Sequence, residues 1–351
     1  VFAALYYQHH RSDALHQGAE FSADPKDAYR AASLDSLFQT SSERLAKLLV
    51  NRQQNQEKSR EHAWSGKMNA NYFSKVAHTP DYFQIEVNAD FEHKTGTTFS
   101  DYRLRYGQSA QSLRPDEHQL RFVDVPTTKI HAKFRTEYVY RPEWGSINPF
   151  LDVSAAHLED NRNFYRLDRL GASTPEFGAL PSTTAALLQT LDTPNSYDSR
   201  HNSLNGTLGA RCTIWLGGKL PNQHITFTPT VNGSIERLTY RRDALHAHPR
   251  RNQLFFLPTL SWGFDNCHIT YRMHAAYPEL FNLLDYTDNA DPLNLYCGNP
   301  HLQRSTSHKV TFSRSWWKWK EGKKFFIDVT WDVTRNAVAH GQTYDAATGV
   351  R

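Results

Sequence analysis

Apolar and polar residues alternate one by one along most of this chain. The clearest case spans residues 308–334. Val310, Phe312, Trp316, Phe325, Ile327, Val329, Trp331 and Val333 recur on one side, and Lys309, Thr311, Ser313, Ser315, Asp328, Thr330, Asp332 and Thr334 on the other. Successive side chains of a strand point to opposite faces, so the pattern predicts a β-hairpin with one apolar and one polar side, joined by a basic turn at 318–324. Each arm is about ten residues long, enough for a tilted strand to cross a bilayer. Trp316, Trp317 and Trp319 cluster where such a strand would leave the hydrocarbon. A soluble sheet with one wet face produces the same alternation, so this hairpin alone does not decide between the two.

The rest of the chain repeats the plan. Phe83, Ile85, Val87, Ala89 and Phe91 alternate with Gln84, Glu86, Asn88, Asp90 and Glu92. A helix would scatter those five apolar residues around its surface, so a strand is predicted. Similar stretches begin at Trp64, Ile130, Leu151, Leu208, Ile225, Leu254 and Ile269. Between them the sequence predicts short turns (75–81, 142–147, 217–223) alternating with long loops (92–128, 158–202, 276–306) and a medium one (239–252). After a possible strand end at 1–8, a polar region carries a short helix at 42–50, with Leu45, Leu48 and Leu49 at helical spacing. A second short helix follows Pro181, with Ser182 as its cap and Ala185, Leu188 and Leu191 on one side. Pro229 and Pro258 interrupt otherwise regular strands and predict bulges or a strand mouth there.

Antiparallel neighbours place all short turns at one end and all long loops at the other, the habit of outer-membrane barrels; sandwiches mix connection types. The predicted fold is all-β, an antiparallel transmembrane β-barrel of the outer-membrane type, with residues 1–351 as part of a single barrel domain. About ten strands, or eleven, would leave two bare edges, so the expectation is an incomplete, open part of a larger barrel. The chain starts at Val1 inside an alternating stretch, shows no signal peptide, and looks cut at both ends.

Composition changes this picture little. Mean hydropathy is −0.67 and 39% of residues are hydrophobic. No run approaches the roughly 18 apolar residues of a membrane helix, which excludes a helical membrane protein but not a barrel. The 17 Tyr, 20 Phe and 8 Trp suit interfacial girdles. A net charge of +4, spread along the chain, gives no case for nucleic acid. Cys212, Cys267 and Cys297 form neither a disulfide framework nor a zinc site. Pairs among the 18 histidines, such as His9/His10 and His246/His248, lack a third ligand at useful spacing, so no metal and no cofactor is expected.

Charge on the polar face alternates in sign between neighbouring strands, as opposite charges across a sheet support one another. Glu86, Asp90, Lys133, Arg135, Asp328 and Asp332 are the lumen-facing candidates for ligand binding; a wall satisfied by its own salt bridges is the favoured reading of the same residues. No nucleophile elbow, zinc-protease motif, phosphate loop or dinucleotide fingerprint occurs, and no enzyme activity is expected.

One segment points to a family. Tyr277-Pro278-Glu279-Leu280, Asp291-Pro292-Leu293 and Gly298-Asn299-Pro300-His301-Leu302 resemble the loop before a late strand in outer-membrane barrels related to TonB-dependent receptors. The stretch from Pro181-Ser182 to Asn195-Ser196-Tyr197 resembles another loop of that family. Tyr277 stands where family members often carry Arg, and Gln303-Arg304-Ser305 lacks the usual Pro. The resemblance implies a bacterial outer-membrane location among membrane lipid and energy-coupled uptake of a small-molecule or glycan nutrient. It also implies an N-terminal plug that meets a periplasmic coupling protein, neither visible in these residues. A barrel with a surface-structural, assembly or adhesion role, a secreted carbohydrate-binding β-protein and a barrel hydrolase remain alternatives. Physically, the three prolines stiffen the loop, and Gly298-Asn299 predicts a left-handed turn.

Overall fold

The computed structural model describes residues 1–24, 47–107, 115–217, 222–318, 322–339 and 341–351. Residues 42–46 of the first expected helix, and Trp319 of the aromatic cluster, lie outside them. The fold is all-β, with one large antiparallel sheet of 14 strands among the described residues. It opens with β1 (Phe2–Phe21), β2 (Leu49–Lys75), β3 (Tyr82–Tyr106), β4 (Glu117–Val139), β5 (Gly145–Arg166) and β6 (Tyr197–Trp215). Next come β7 (His224–Thr228), β8 (Thr230–Arg242), β9 (Leu245–Ala247), β10 (Arg250–Phe256), β11 (Thr259–Phe264) and β12 (Cys267–Ala276). A separate hairpin, β13 (Thr287–Asp291) and β14 (Asn294–Cys297), precedes β15 (Ser305–Lys318) and β16 (Lys323–Arg335). The path from β1 to β16 passes through eleven strands, and the sheet is not closed: among the described residues β1 pairs only with β2, and β16 only with β15.

The proline expectation holds. The chain leaves strand geometry at Pro229, between β7 and β8, and at 257–258, between β10 and β11. Because β6 pairs with both β7 and β8, these pieces are one strand with a break.

The long loops are shorter than the sequence predicts. β3 runs on to Tyr106 and β4 starts at Glu117, so most of 92–128 is strand; β5 extends to Arg166 and β6 begins at Tyr197, well inside 158–202. The region 239–252 is a hairpin in which β8 reaches Arg242 and pairs with β9 and β10. Lys47 and Leu48 are helical, as expected, but the helix gives way to β2 at Leu49, which pairs with Phe21. The second helix forms as α1 (Thr184–Gln189), but its cap is Thr183, whose hydroxyl accepts the Ala186 N–H at 3.2 Å, and Leu191 lies beyond it.

The cause of the longer strands is an inversion of facing. Over Phe83–Phe91 the odd positions of β3 are apolar, whereas farther along Tyr102, Leu104 and Tyr106, at even positions, are buried. Below the inversion the apolar face is bare: Phe91, Ile130, Phe134, Leu151, Leu208, Phe227, Val329 and Trp331 are exposed large hydrophobics. Burying such a side chain is worth about 1.5–3 kcal/mol, which a water-facing wall would forgo at every position. The opposite face of the same strands is polar and cross-linked. Lys94 meets Glu61 at 2.6 Å, His131 meets Asp90 at 3.5 Å, and Arg211 meets Glu137 at 4.0 Å. This is a soluble protein's arrangement turned inside out over a band about nine residues tall, the height of a tilted bilayer-crossing strand. Above the band both faces are covered by the chain's own connections: Leu280, Leu284 and Leu293 pack on the inner face, while Leu120, Phe122 and Leu167 are buried with Phe177 and Leu187 on the outer one.

Candidate functional site at the upper end of the inner face

The six residues singled out from sequence all lie on the polar face but do not converge. Glu86 stands opposite Arg135 and accepts the Asn88 amide at 2.7 Å. Arg135 pairs with Glu137 at 3.0 Å and Asp152 at 3.5 Å. Asp90 faces His131, and Lys133 stands between Asn88 and Ser154. Asp332 accepts the Ser307 hydroxyl at 2.7 Å, and Asp328 stands opposite Ser313, both on the edge strand β16. Four of the six form part of a charged ladder on β3–β4, and two sit several strands away.

Charge converges higher up. Arg162 on β5 and Arg242 on β8 both reach the Asp288 carboxylate of β13, at 3.0 and 3.1 Å. Their Nε atoms donate to the backbone carbonyls of Asn195 (2.8 Å) and Pro194 (2.6 Å). The guanidinium of Arg162 lies over the Tyr197 ring, and that of Arg242 over Tyr286. Burial works against the charged form of Asp288, but the Ala290 N–H and the two guanidinium charges outweigh it and hold its carboxyl below the usual carboxylate range. Tyr286 is pushed up to about 12 by burial, with Tyr240 and Asp288 adding to the effect.

A pH dependence follows. A depressed folded-state pKa contributes stability above the ordinary carboxylate value of about 3.9, and that stability is lost as pH falls through the folded value. A spin label on the exposed Cys297 of β14, in a Cys212→Ser/Cys267→Ser background, is expected to stay immobile from neutral pH down to about 5 and to loosen only below about 4. Loosening already near pH 6 would remove Asp288 as the cause.

The motif at 277–302 explains how Asp288 gets there. Asp291 turns the hairpin: its side chain accepts the Leu293 N–H at 3.0 Å and the Asn294 amide at 2.8 Å. The turn delivers Leu293 into a cluster with Tyr102, Leu104 and Tyr106, while Leu280 and Leu284 enter one with Leu238 and Tyr240. Gly298 and Asn299 are not left-handed, contrary to expectation. Glycine is required there because its backbone passes against the Leu284 carbonyl, which any Cβ would strike. Its N–H donates to the Tyr286 carbonyl at 3.2 Å, and that of Asn299 to the Asn282 carbonyl at 2.8 Å. Gly298→Ala is expected to destabilise this docked segment by about 1–3 kcal/mol, measured as faster proteolytic cleavage within 277–304, with the β-sheet circular dichroism unchanged.

A second strap comes from the last residues. Leu295 and Arg351 are linked by an N–H to carbonyl bond of 2.9 Å, Arg351 donates to Leu293 at 2.8 Å, and the Asn51 amide holds the Thr348 carbonyl at 3.0 Å. Between the 287–295 hairpin, the 192–195 turn and the ends of β4 and β5 lies a cavity of about 470 Å³, lined by Glu117, Gln119, Arg166, Arg169, Asp192 and Thr287 among others. Arg166 is neutralised by Asp168 (2.8 Å) and Arg169 by Asp192 (3.2 Å). Arg121 stands next to Gln119 along the inner face of β4, 7% exposed, and is stacked 4.1 Å from the Tyr102 ring. Its Nη2 is buried without a hydrogen-bond partner among the described residues. The size fits a small molecule, and the lining offers both donors and acceptors.

Sequence reasoning missed Arg121, Arg162, Arg242 and Asp288, because they lie in stretches read as loop. The signal was present in Tyr102, Leu104 and Tyr106, which alternate with Arg103 and Arg105 in the opposite phase to Phe83–Phe91.

No family model matches the chain, and no curated protein matches it. Among solved structures it is similar to the ferric yersiniabactin uptake receptor FyuA from Yersinia pestis, with 8% sequence identity and a TM-score of 0.33. The match covers 82% of this chain and 46% of that one, so the chain spans under half the receptor's length.

Proposed function

We propose that this chain is wall of a bacterial outer-membrane receptor that takes up a nutrient, a small molecule or a glycan, by energy-coupled transport. The observation that carries the membrane part is the sidedness of the strands: bare apolar side chains outside and a paired polar ladder inside. Coupled uptake, rather than a passive pore, is supported by the inner face at its upper end. There the chain's own hairpin is fastened over the strands by Asp288, Arg162 and Arg242, and opening such a clamp requires work. The ligand would be met at the cavity beside that clamp.

The test is uptake by cells carrying the intact gene, with and without the inner-membrane coupling machinery. Uptake that depends on coupling is expected. Unchanged uptake without it would mean a passive pore, and no uptake of any candidate nutrient would favour a surface-structural barrel.

A further inference from the structure

On the outer face, the β1–β2 pair changes chemistry in steps toward its upper end. Leu5 stands opposite Gly66, then Tyr7 opposite Trp64, His9 opposite His62, and Arg11 opposite Arg60. Tyr7 and Trp64 pack at 4.7 Å, and the Tyr7 hydroxyl and the His9 ring each lie within hydrogen-bond reach of His62, at 2.9 and 3.3 Å. Apolar, aromatic, imidazole and guanidinium rows succeed one another as the layers of a bilayer do from hydrocarbon to headgroup. Each step is two residues, about 6.6 Å along a strand, so the arginines stand about 13 Å beyond the aromatic row, and less than that along the membrane normal because strands tilt.

The same arrangement recurs across the sheet. Arg237 on β8 stands opposite Arg250 on β10, one step beyond the exposed Ile235 and two beyond the exposed Leu254. Like charges directly opposite one another destabilise a strand pair, yet the outer face holds both of these, besides Arg52 opposite Arg105 farther up. On the inner face, the neighbouring Arg251 is matched to Glu236 at 2.7 Å. Among the described residues Arg11 reaches a carboxylate at 3.9 Å, in Asp13, where both side chains are more than half exposed. Asp124 lies on the same face but two strands from Arg60.

From this geometry we infer that the Arg11/Arg60 and Arg237/Arg250 pairs bind the phosphate groups of anionic lipids in the surrounding leaflet. The inference rests on the membrane reading above. A phosphate between two opposed guanidinium groups converts a repulsive pair into a bridged one, with charge-assisted hydrogen bonds to both. Aromatic residues below the first pair would hold the acyl chains of the same lipid.

The experiment uses the intact protein in mixed detergent micelles with fluorescent phosphatidylglycerol or phosphatidylcholine, and reads the ratio of the two association constants. A preference for phosphatidylglycerol of roughly fivefold or more is expected, the scale of one cation near a charged surface. It should fall toward one in Arg11→Gln/Arg60→Gln/Arg237→Gln/Arg250→Gln and be partly retained when only one pair is changed. A preference that survives in the fourfold variant overturns the assignment. Competition by inorganic phosphate as strong as that by the lipid would make this a small-anion site and also overturn it. Lipid binding with no headgroup preference removes the arginine proposal alone. A protein that stays soluble without detergent and takes up no lipid removes the membrane reading with it.

Discussion

Val329→Arg is expected to lower folding stability in lipid vesicles by about 2–4 kcal/mol, because a guanidinium near mid-membrane on the lipid side of a barrel strand loses its hydration. Asp328→Asn, one residue away on the inner face, should change it by less than about 1 kcal/mol, the worth of a single polar contact. Val329 is 56% exposed and lies opposite Phe312, whereas Asp328 lies opposite Ser313. Denaturant titration of both variants in vesicles measures the difference. Equal losses would mean that the two faces are not sorted between lipid and polar interior, and the bilayer reading would fall. Folding in detergent-free buffer would itself count against a bare apolar band.

The second large effect concerns the clamp. Removing the charge of Asp288 leaves Arg242, whose side chain is 5% exposed, without its carboxylate. Breaking a fully buried pair costs about 3–5 kcal/mol. Asp288 is 20% exposed, and the Pro194 and Asn195 carbonyl groups still accept from the two arginines, so Asp288→Asn is expected to cost about 2 kcal/mol. That corresponds to amide exchange roughly 30-fold faster over residues 280–297. Exchange in the ladder at 83–91 should be unchanged. Acceleration spread evenly over the sheet would show that Asp288 supports global stability rather than holding one segment down.

The lower part of the sheet was legible because period-two alternation specifies both strand and facing. Phe83–Phe91 could not be moved by one register step without burying Gln84, Glu86 and Asn88 on the wrong side. The upper part was not legible by that rule, since apolar residues occupy both sides there, Phe99, Leu120 and Phe122 on the outer and Tyr102, Leu104 and Tyr106 on the inner, and a window spanning the change shows no period. The proline breaks were predictable from a missing donor alone. The candidate site was not, because Asp288 reaches Arg162 across 126 positions of sequence. Its turn motif at Asp291-Pro292-Leu293 was visible, but which strands it would dock against depends on the sheet's order.

The two proline breaks lie side by side. Pro229 separates β7 from β8, Pro258 separates β10 from β11, and β8 pairs with β10 as β7 pairs with β11. Neither proline has an N–H to donate, though both carbonyl groups accept, from Ala210 and Met273, each at 3.3 Å. Two neighbouring strands therefore lose a backbone donor at the same level. The sheet acquires a crease: a line along which its upper and lower halves can tilt with few hydrogen bonds to break. When the wall is strained, compliance is concentrated inside the apolar band rather than shared along the strands.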